Sequence, residues 1–386
     1  MEASEVFTQL YAKGAARSLK FVMTSRCNLG CSYCPQDHEP VNETPWNLQK
    51  MKSMIRSFAD SMKGEEKTLD FIGGEPLLKK RLIHQFLTED RDYLLDNEIT
   101  IHLTTNGLLL DKETIDLINT FPNSAIFISL DTLAMGGLRP LKREQFDHVC
   151  SQLNYISNVM GKYNTTTVMS ITPTDVMYMA DSMSMLYKLG VGNFLVNPIF
   201  YNNYSKLDWT QESFKDCERI LQEFYDTRPD AMITFGAEVA PKGSHNCLSG
   251  GLITNVDADG HISGCFFFSG NKGEYFPDAH IGTIGEVNEV FHDRIDKSHK
   301  DYQKSMNSLV CQSCDIQGLC SMCPAGHKKL NDGYFGPISS GNGTFLFCQQ
   351  AVRSHITVRD YCSNVEDARE YAMNRFAEME ANSTQS

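Results

Sequence analysis

SLKFVMTSRCNLGCSYC, residues 18–34, is a short apolar, β-branched run that leads directly into three closely spaced cysteines. Residues 18–24 read as a strand, and the cysteines follow at the spacing Cys27-x3-Cys31-x2-Cys34. Three thiolates on one loop hold three irons of a [4Fe–4S] cube and leave the fourth iron open to a ligand. A structural zinc normally wants four protein ligands. No fourth ligand falls at zinc-finger spacing here, and His38 is the only neighbour to weigh. Zinc or unliganded thiol is the competing reading.

Working outward, strand-like and helix-like runs alternate to about residue 228. Strands are expected at 18–24, 67–72, 99–104, 125–130, 165–171 and 192–196. Helices are expected at 46–60, 78–94, 111–120, 142–160, 175–189 and 210–226. Asp111 stands at one helix start, and Thr174 and Asp175 at another, as N-caps do. Six βα units predict an α/β fold with a parallel sheet. They are too few to close an eight-stranded barrel, so an open partial (β/α)6 TIM-like barrel is expected. Its site belongs at the C-terminal ends of the strands.

Beyond about residue 230 the alternation stops, and Gly, Asp, Asn and Cys rise. Asp257-Ala258-Asp259-Gly260 marks a hairpin turn between runs at 252–256 and 261–268. A short helix is expected within 285–306 and a C-terminal helix near 365–380. The division expected is an N-terminal extension at 1–17, a barrel at 18–228, and a cysteine-rich Fe–S domain at 229–386.

The chain has 386 residues, 41% of them hydrophobic, enough for a full core. A net charge of −13 disfavours a nucleic-acid partner. No run of 18 apolar residues and no secretory signal is present, so neither membrane nor export is expected and a cytoplasmic location is. Thirteen cysteines in a reducing compartment point to metal or chemistry. Cys150 and Cys217 stand alone in helix-like runs and read as small buried hydrophobes.

The triplet, with Tyr33 just before its last cysteine, resembles the radical S-adenosylmethionine (SAM) superfamily. The resemblance extends over residues 18–228. Gly73-Gly74-Glu75-Pro76 after the second strand is similar to the family's glycine-rich motif for the methionine amino group. Thr104-Thr105-Asn106-Gly107 ends strand three. Ser129-Leu130-Asp131 ends strand four, where a hydroxyl and a carboxylate commonly meet the SAM ribose or carboxylate. Val196-Asn197-Pro198 ends strand six, where the family rests the adenine. Ser170 and Thr172 match the family's strand-five element poorly. The resemblance implies SAM as cofactor and Tyr33, Gly73, Gly74, Glu75, Pro76, Thr104, Ser129, Asp131 and Asn197 as its contacts. It also implies one-electron cleavage to a 5′-deoxyadenosyl radical that abstracts a hydrogen atom.

The later cysteines resemble the SPASM extension, which carries auxiliary [4Fe–4S] clusters, giving three clusters in all. Ile281–Gly285 is similar to the apolar-Gly stretch ahead of that extension's helix. The resemblance assigns Cys311, Cys314, Cys320 and Cys348 to one auxiliary cluster, and Cys247, Cys265 and Cys323 to the other. The Cys320–Cys323 spacing is one residue shorter than usual. No cysteine lies upstream of Cys247 as an extra ligand, which leaves an open iron or a ligand such as His245. Cys362 is unassigned, and structural zinc is the alternative for the whole set. SPASM-bearing members mostly modify peptides and proteins. An oxidised or crosslinked ribosomal peptide is therefore the expected product, with the auxiliary clusters taking up an electron. The alternatives are a sulfatase formylglycine maturase and a sugar or cyclitol dehydrogenase. Phe266-Phe267-Phe268 after Cys265, where maturases usually carry Asp, weakens the sulfatase reading. Flavodoxin or ferredoxin is the expected reductant. Fewer than twenty residues precede the first strand, so a leader peptide is expected to be read by a separate protein or by the barrel itself. The catalytic base is not assignable from the sequence.

Overall fold

The structure, a computed structural model, describes residues 18–34, 45–61, 67–133, 138–199, 210–235, 253–263 and 280–283. Strands β1 (Ser18–Val22), β2 (Lys67–Ile72), β3 (Ile99–Thr105), β4 (Ala125–Ser129), β5 (Thr165–Ile171) and β6 (Asn193–Pro198) follow the expected order. Helices α1 (Leu48–Ser61), α2 (Lys80–Glu89), α3 (Arg91–Asp96), α4 (Lys112–Asn119), α5 (Arg143–Val159), α6 (Val176–Lys188) and α7 (Gln211–Thr227) connect them. The fold is α/β with a parallel sheet, as a partial barrel requires.

Two features depart from the sequence reading. The single helix expected at 78–94 is a 3-10 turn, Pro76–Lys79, then α2 and α3 broken at Asp90. Asp90 is buried and accepts both guanidinium nitrogens of Arg56, at 2.8 and 3.0 Å. The parallel sheet also runs past six strands. β7 (Met232–Phe235) pairs parallel with β6, and β8 (Ile253–Val256) pairs parallel with β1 on the opposite side. β9 (His261–Ser263) pairs antiparallel with β8, as the hairpin turn predicts, and β10 (His280–Thr283) pairs with β9. The order across the sheet is β10-β9-β8-β1-β2-β3-β4-β5-β6-β7.

Sequential strand order has a geometric consequence. Parallel crossovers are right-handed, so successive helices all fall on one face. The side chains agree. Phe21 of β1 packs on Trp46 and on Phe86 of α2, and Phe71 of β2 packs on the same Phe86, with centroids 4.9–6.3 Å apart. Leu19, Leu69, Ile101, Leu103, Ile126 and Ile128 share this face and are buried in the main core. Burying each such side chain contributes about 1.5–3 kcal/mol. The opposite, inner face carries Lys20, Asp70, His102, Thr104, Phe127, Thr166 and Asn193 by strand alternation and register. A parallel strand covered by apolar packing on both faces reads as continuously apolar. β3 instead alternates between buried and half-buried residues along its whole length. The inner face is therefore built to meet polar groups.

Among the described residues no helix is long and apolar enough to cross a membrane. Cys217 is fully buried in the main core, and Cys150 is half-buried and packs against that core.

Candidate active site

β1 ends at Val22, and the chain continues into the cysteine loop at the C-terminal edge of the sheet. Leu29, Cys31 and Tyr33 form a small apolar cluster, with Cys27 and Cys34 packed against it. Cys27 and Cys34 are half-buried and Cys31 is buried, all as free thiols. The loop is shaped by its backbone. Cys34 N–H donates to the Cys31 carbonyl at 3.0 Å, and Ser32 N–H to the Leu138 carbonyl at 3.0 Å. Asn106 Nδ2 donates to Asn28 Oδ1 at 2.7 Å and reaches Cys27 Sγ at 3.6 Å.

Burial pushes the Cys27 thiol up, and pushes that of Cys31 to about 11 despite the nearby Arg139 charge. Thiols so placed stay protonated until a metal displaces the proton. Among the described residues, the one set of three or more ligand groups converging within 4.8 Å is Asp257, Asp259 and His261. The three thiols are thus spread wider than a single tetrahedral zinc asks for. Three thiols on one partly apolar loop, with no fourth ligand beside them among the described residues, fit an Fe–S cube with an open corner.

The glycine-rich turn explains why the loop lies where it does. Gly74 N–H donates to the Thr24 carbonyl at 2.7 Å, and Glu75 N–H to the Arg26 carbonyl at 2.9 Å. This continues the β1–β2 pairing up to the cysteines. Gly73 has φ +151°, and a Cβ there would meet the Thr24 carbonyl oxygen at 2.5 Å. A Cβ on Gly74 would overlap the Arg26 carbonyl. Glycine is required because two backbones touch. Glu75 is fully buried and caps the 3-10 turn. Its Oε1 accepts from Leu77 N–H at 2.9 Å and the Thr105 hydroxyl at 2.8 Å, and its Oε2 from Asn106 N–H at 2.8 Å. Burial raises its pKa, and these donors oppose the shift. Pro76 fills the first position of the turn.

Asp131 is buried, and protein donors occupy its carboxylate. Oδ2 accepts from Tyr33 Oη at 2.8 Å and Arg139 Nε at 3.0 Å. Oδ1 accepts from Ser170 N–H at 3.0 Å and Arg139 Nη2 at 3.2 Å. Arg139 Nη2 also donates to Tyr33 Oη. Among the described residues Nη1 takes no partner, so one nitrogen of a buried guanidinium is left with its N–H groups unused near Cys31. Asp131 therefore acts here as the support of Arg139. Tyr33 lies under that guanidinium, 5.7 Å from its centre, and burial with the neighbouring carboxylate drives its phenol pKa well up.

Sequence reasoning named the Thr104–Gly107 stretch and took Thr104 from it as the contact, whereas Thr105 and Asn106 are the residues that meet Glu75 and Cys27. Thr104 points to the inner face and donates to Asp70 Oδ1 at 3.3 Å. Arg139 was missed. Its signal was modest: one arginine eight residues after Asp131, in the turn before α5. Ser129 and Asn197 share the inner face at the ends of β4 and β6. Asp175 does sit at the α6 N-cap, but its carboxylate bonds Thr172 instead of a helix N–H. Cys247, Cys265, Cys311, Cys314, Cys320, Cys323, Cys348 and Cys362, together with His245, Phe266–Phe268 and the two later helices, lie outside the described residues. Of the apolar-Gly stretch, Ile281–Thr283 lies in β10.

Residues 21–183 match the Radical SAM superfamily. A GTP 3′,8-cyclase of Chlorobaculum tepidum is 22% identical over 76% of this chain and 92% of its own length. One of Campylobacter jejuni subsp. doylei is 34% identical over 39% of this chain, and the match spans 46% of that relative. Among solved structures, Streptococcus suis SuiB bound to S-adenosylmethionine superposes with TM-score 0.61 at 15% identity, over 83% of this chain and 76% of SuiB. Native anSMEcpe with bound AdoMet superposes with TM-score 0.67 at 15% identity, over 92% of this chain and 99% of anSMEcpe. At such identity these two likenesses concern the fold. The cysteine loop, the glycine turn and strands β2 to β5 lie within the span, residues 21–183, that is similar to the Radical SAM superfamily.

Proposed function

We propose that this protein is a radical SAM enzyme that modifies a peptide or protein side chain. The observation that carries the reading is the Cys27–Cys31–Cys34 loop, locked onto Gly73–Glu75 with Arg139 Nη1 beside it. Cys27, Cys31 and Cys34 would hold a [4Fe–4S] cluster, and S-adenosylmethionine would complete its open corner. When bound, the cluster supplies the electron that cleaves SAM to a 5′-deoxyadenosyl radical.

The chain's own residues bind and orient. The glycine turn keeps side chains away from the methionine end of SAM. Arg139 Nη1 offers donors to a carboxylate, held in place by Asp131 and Tyr33. Asn106 donates toward Cys27 Sγ, an interaction that tunes a cluster ligand. Ser129, Thr104 and Asn197 stand at strand ends around the remaining SAM surface. The half-buried inner face below receives the substrate, away from bulk water.

SuiB was solved bound to the precursor peptide SuiA, and anSMEcpe with AdoMet and the Kp18Cys peptide. Their shared fold supports a peptide as substrate. Two auxiliary clusters, on Cys311, Cys314, Cys320 and Cys348 and on Cys247, Cys265 and Cys323, would take up the electron left on the substrate radical. A flavodoxin or ferredoxin would reduce the first cluster, and the domain division at 228/229 belongs to the same proposal. The competing reading is nucleotide cyclisation, favoured by the GTP 3′,8-cyclase relatives.

The test is anaerobic reconstitution of the full chain. Roughly twelve irons per chain are expected, four per cube. 5′-Deoxyadenosine should form with SAM and dithionite. A peptide encoded beside the gene should be modified, with a mass loss at one residue. Conversion of GTP, with no peptide product, would overturn the peptide reading.

A further inference from the structure

The chain carries a net charge of −13, yet cations gather on two turns beside the cysteine loop. The first is the 3-10 turn that runs into α2, where Lys79, Lys80 and Arg81 are consecutive. The second is the approach to α4, with Leu109, Asp111 and Lys112. Lys80 Nζ bridges to Asp111 Oδ2 at 2.7 Å, which ties the two turns together. Arg26, the residue before Cys27, adjoins the first turn. Its carbonyl accepts from Glu75 N–H at 2.9 Å, and Leu78 N–H donates to the Glu75 carbonyl at 3.2 Å. Against Arg26, Lys79, Lys80, Arg81 and Lys112 stand the carboxylates Asp111 and Glu113, Glu75 being buried. The patch is therefore locally positive on an acidic chain.

Stability does not account for this charge. The start of a helix is the positive end of its dipole, so acidic residues belong in the first turn. α2 has none there, and Lys79 stands at its N-cap position without a side-chain cap bond. A local rule broken in this way points to a use elsewhere. Apolar surface accompanies the charge: Leu78 is 43% exposed and Leu109 36%. The cysteine loop itself reaches the surface here, with Arg26 exposed directly before the half-buried Cys27.

We propose that Arg26, Leu78, Lys79, Arg81, Leu109 and Lys112 form the docking surface for an acidic one-electron carrier protein of the flavodoxin type. The inference rests on the radical reading above and locates where its electron enters. One electron leaves the reduced flavin and enters the oxidised cluster; no covalent bond forms or breaks and no atom is transferred. Charge complementarity selects both the partner and its orientation. An acidic carrier is repelled by the chain as a whole and attracted to this patch, so it arrives with its negative face toward the Cys27 loop. The two leucines supply a small apolar centre inside a charged rim. Electron-transfer encounters bury little surface and are weak, which suits a patch of this kind.

The experiment compares the reconstituted full chain with its double variant Lys79→Glu, Arg81→Glu, using purified flavodoxin as the probe. Calorimetry at roughly 50 mM salt, where surface charges are little screened, should give an affinity that falls as salt is added. The double variant should bind about tenfold more weakly, and the milder Lys112→Gln should shift affinity the same way by less. 5′-Deoxyadenosine formation driven by reduced flavodoxin should slow about tenfold in the double variant. Dithionite needs no docking and should drive both proteins equally. Flavodoxin affinity unchanged in the double variant would overturn the proposal, as expected if another segment or a second copy covers the patch. So would no binding to the wild-type chain, or equal losses with both reductants. Loss of peptide modification under dithionite with SAM cleavage intact would assign the patch to the substrate and overturn it too. No 5′-deoxyadenosine from the wild-type chain with dithionite would end the radical reading, and this proposal with it.

Discussion

The cysteines of the first loop differ from those of the C-terminal set in what their loss should do. On the proposed reading Cys31→Ala removes a ligand of the cluster that cleaves SAM, so 5′-deoxyadenosine should fall below detection and iron by about a third. Cys314→Ala should leave some cleavage while product disappears, and full product from that variant would remove the auxiliary clusters from turnover. Arg139 is argued from burial: its side chain and that of Asp131 are 10% and 11% exposed. Arg139→Met strands a buried carboxylate and should cost about 3–5 kcal/mol, read as a lower urea midpoint. Arg139→Lys should not restore SAM affinity, because one ammonium cannot replace a fork bonded at Nε and Nη2. Two histidines give a pH dependence. Burial holds His84 and His102 below the ordinary imidazole value. The unfolded chain then binds more protons in the window from about pH 6.5 downward, so stability falls as pH drops through it. His102→Gln should flatten that slope in melts taken between pH 7 and 5.

At the scale of elements, two junctions carry the site. The first is the contact of the glycine turn with the cysteine loop. Gly74→Ala pushes a Cβ into the Arg26 carbonyl, so the loop must move. Iron incorporation should drop severalfold while far-UV dichroism changes little; a variant that loads iron like wild type would show that the approach is not needed. The second is the phenylalanine contact under β1 and β2. Phe86→Ala opens a cavity between Phe21 and Phe71 and should cost about 3–5 kcal/mol in thermal unfolding. Several elements were legible from local pattern. The strands at 67–72 and 165–171 match their expected bounds, and Asp111 caps α4 by accepting from Thr114 N–H at 3.0 Å. The helix break at Asp90 was not, because it depends on Arg56, 34 residues away in sequence.

For the whole molecule, the sheet extends on both sides of the six expected strands. β7 is four residues long, too short for periodicity to declare, and β8 was expected as a hairpin strand but not as a parallel neighbour of β1. β8 covers β1, which would otherwise present an open edge. Hydrogen exchange should therefore find the amides of β1 as slow as those of β2, although β1 opens the sheet in sequence. A chain ending at Phe235 should expose them, with fast exchange at Leu19–Val22 and a tendency to aggregate. Equal protection in both forms would show that β8 does not shield that edge.

What the sequence determined by itself was chemistry and periodicity. The cysteine spacing, the Gly-Gly-Glu-Pro turn and the βα alternation each arise within a few residues of chain, where local backbone geometry and ligand number restrict the possibilities. What only the tertiary structure decided was partnership. It gave Asp131 to Arg139, Tyr33 and Ser170, and set Thr105 and Asn106, instead of Thr104, against the glycine turn and Cys27. It also lined up Ser263, Asn255, Lys20, Asp70 and His102 across five strands. The physical reason is that register and burial are set by contacts between residues far apart in the chain, and no local pattern encodes which distant side chain will complete a hydrogen bond.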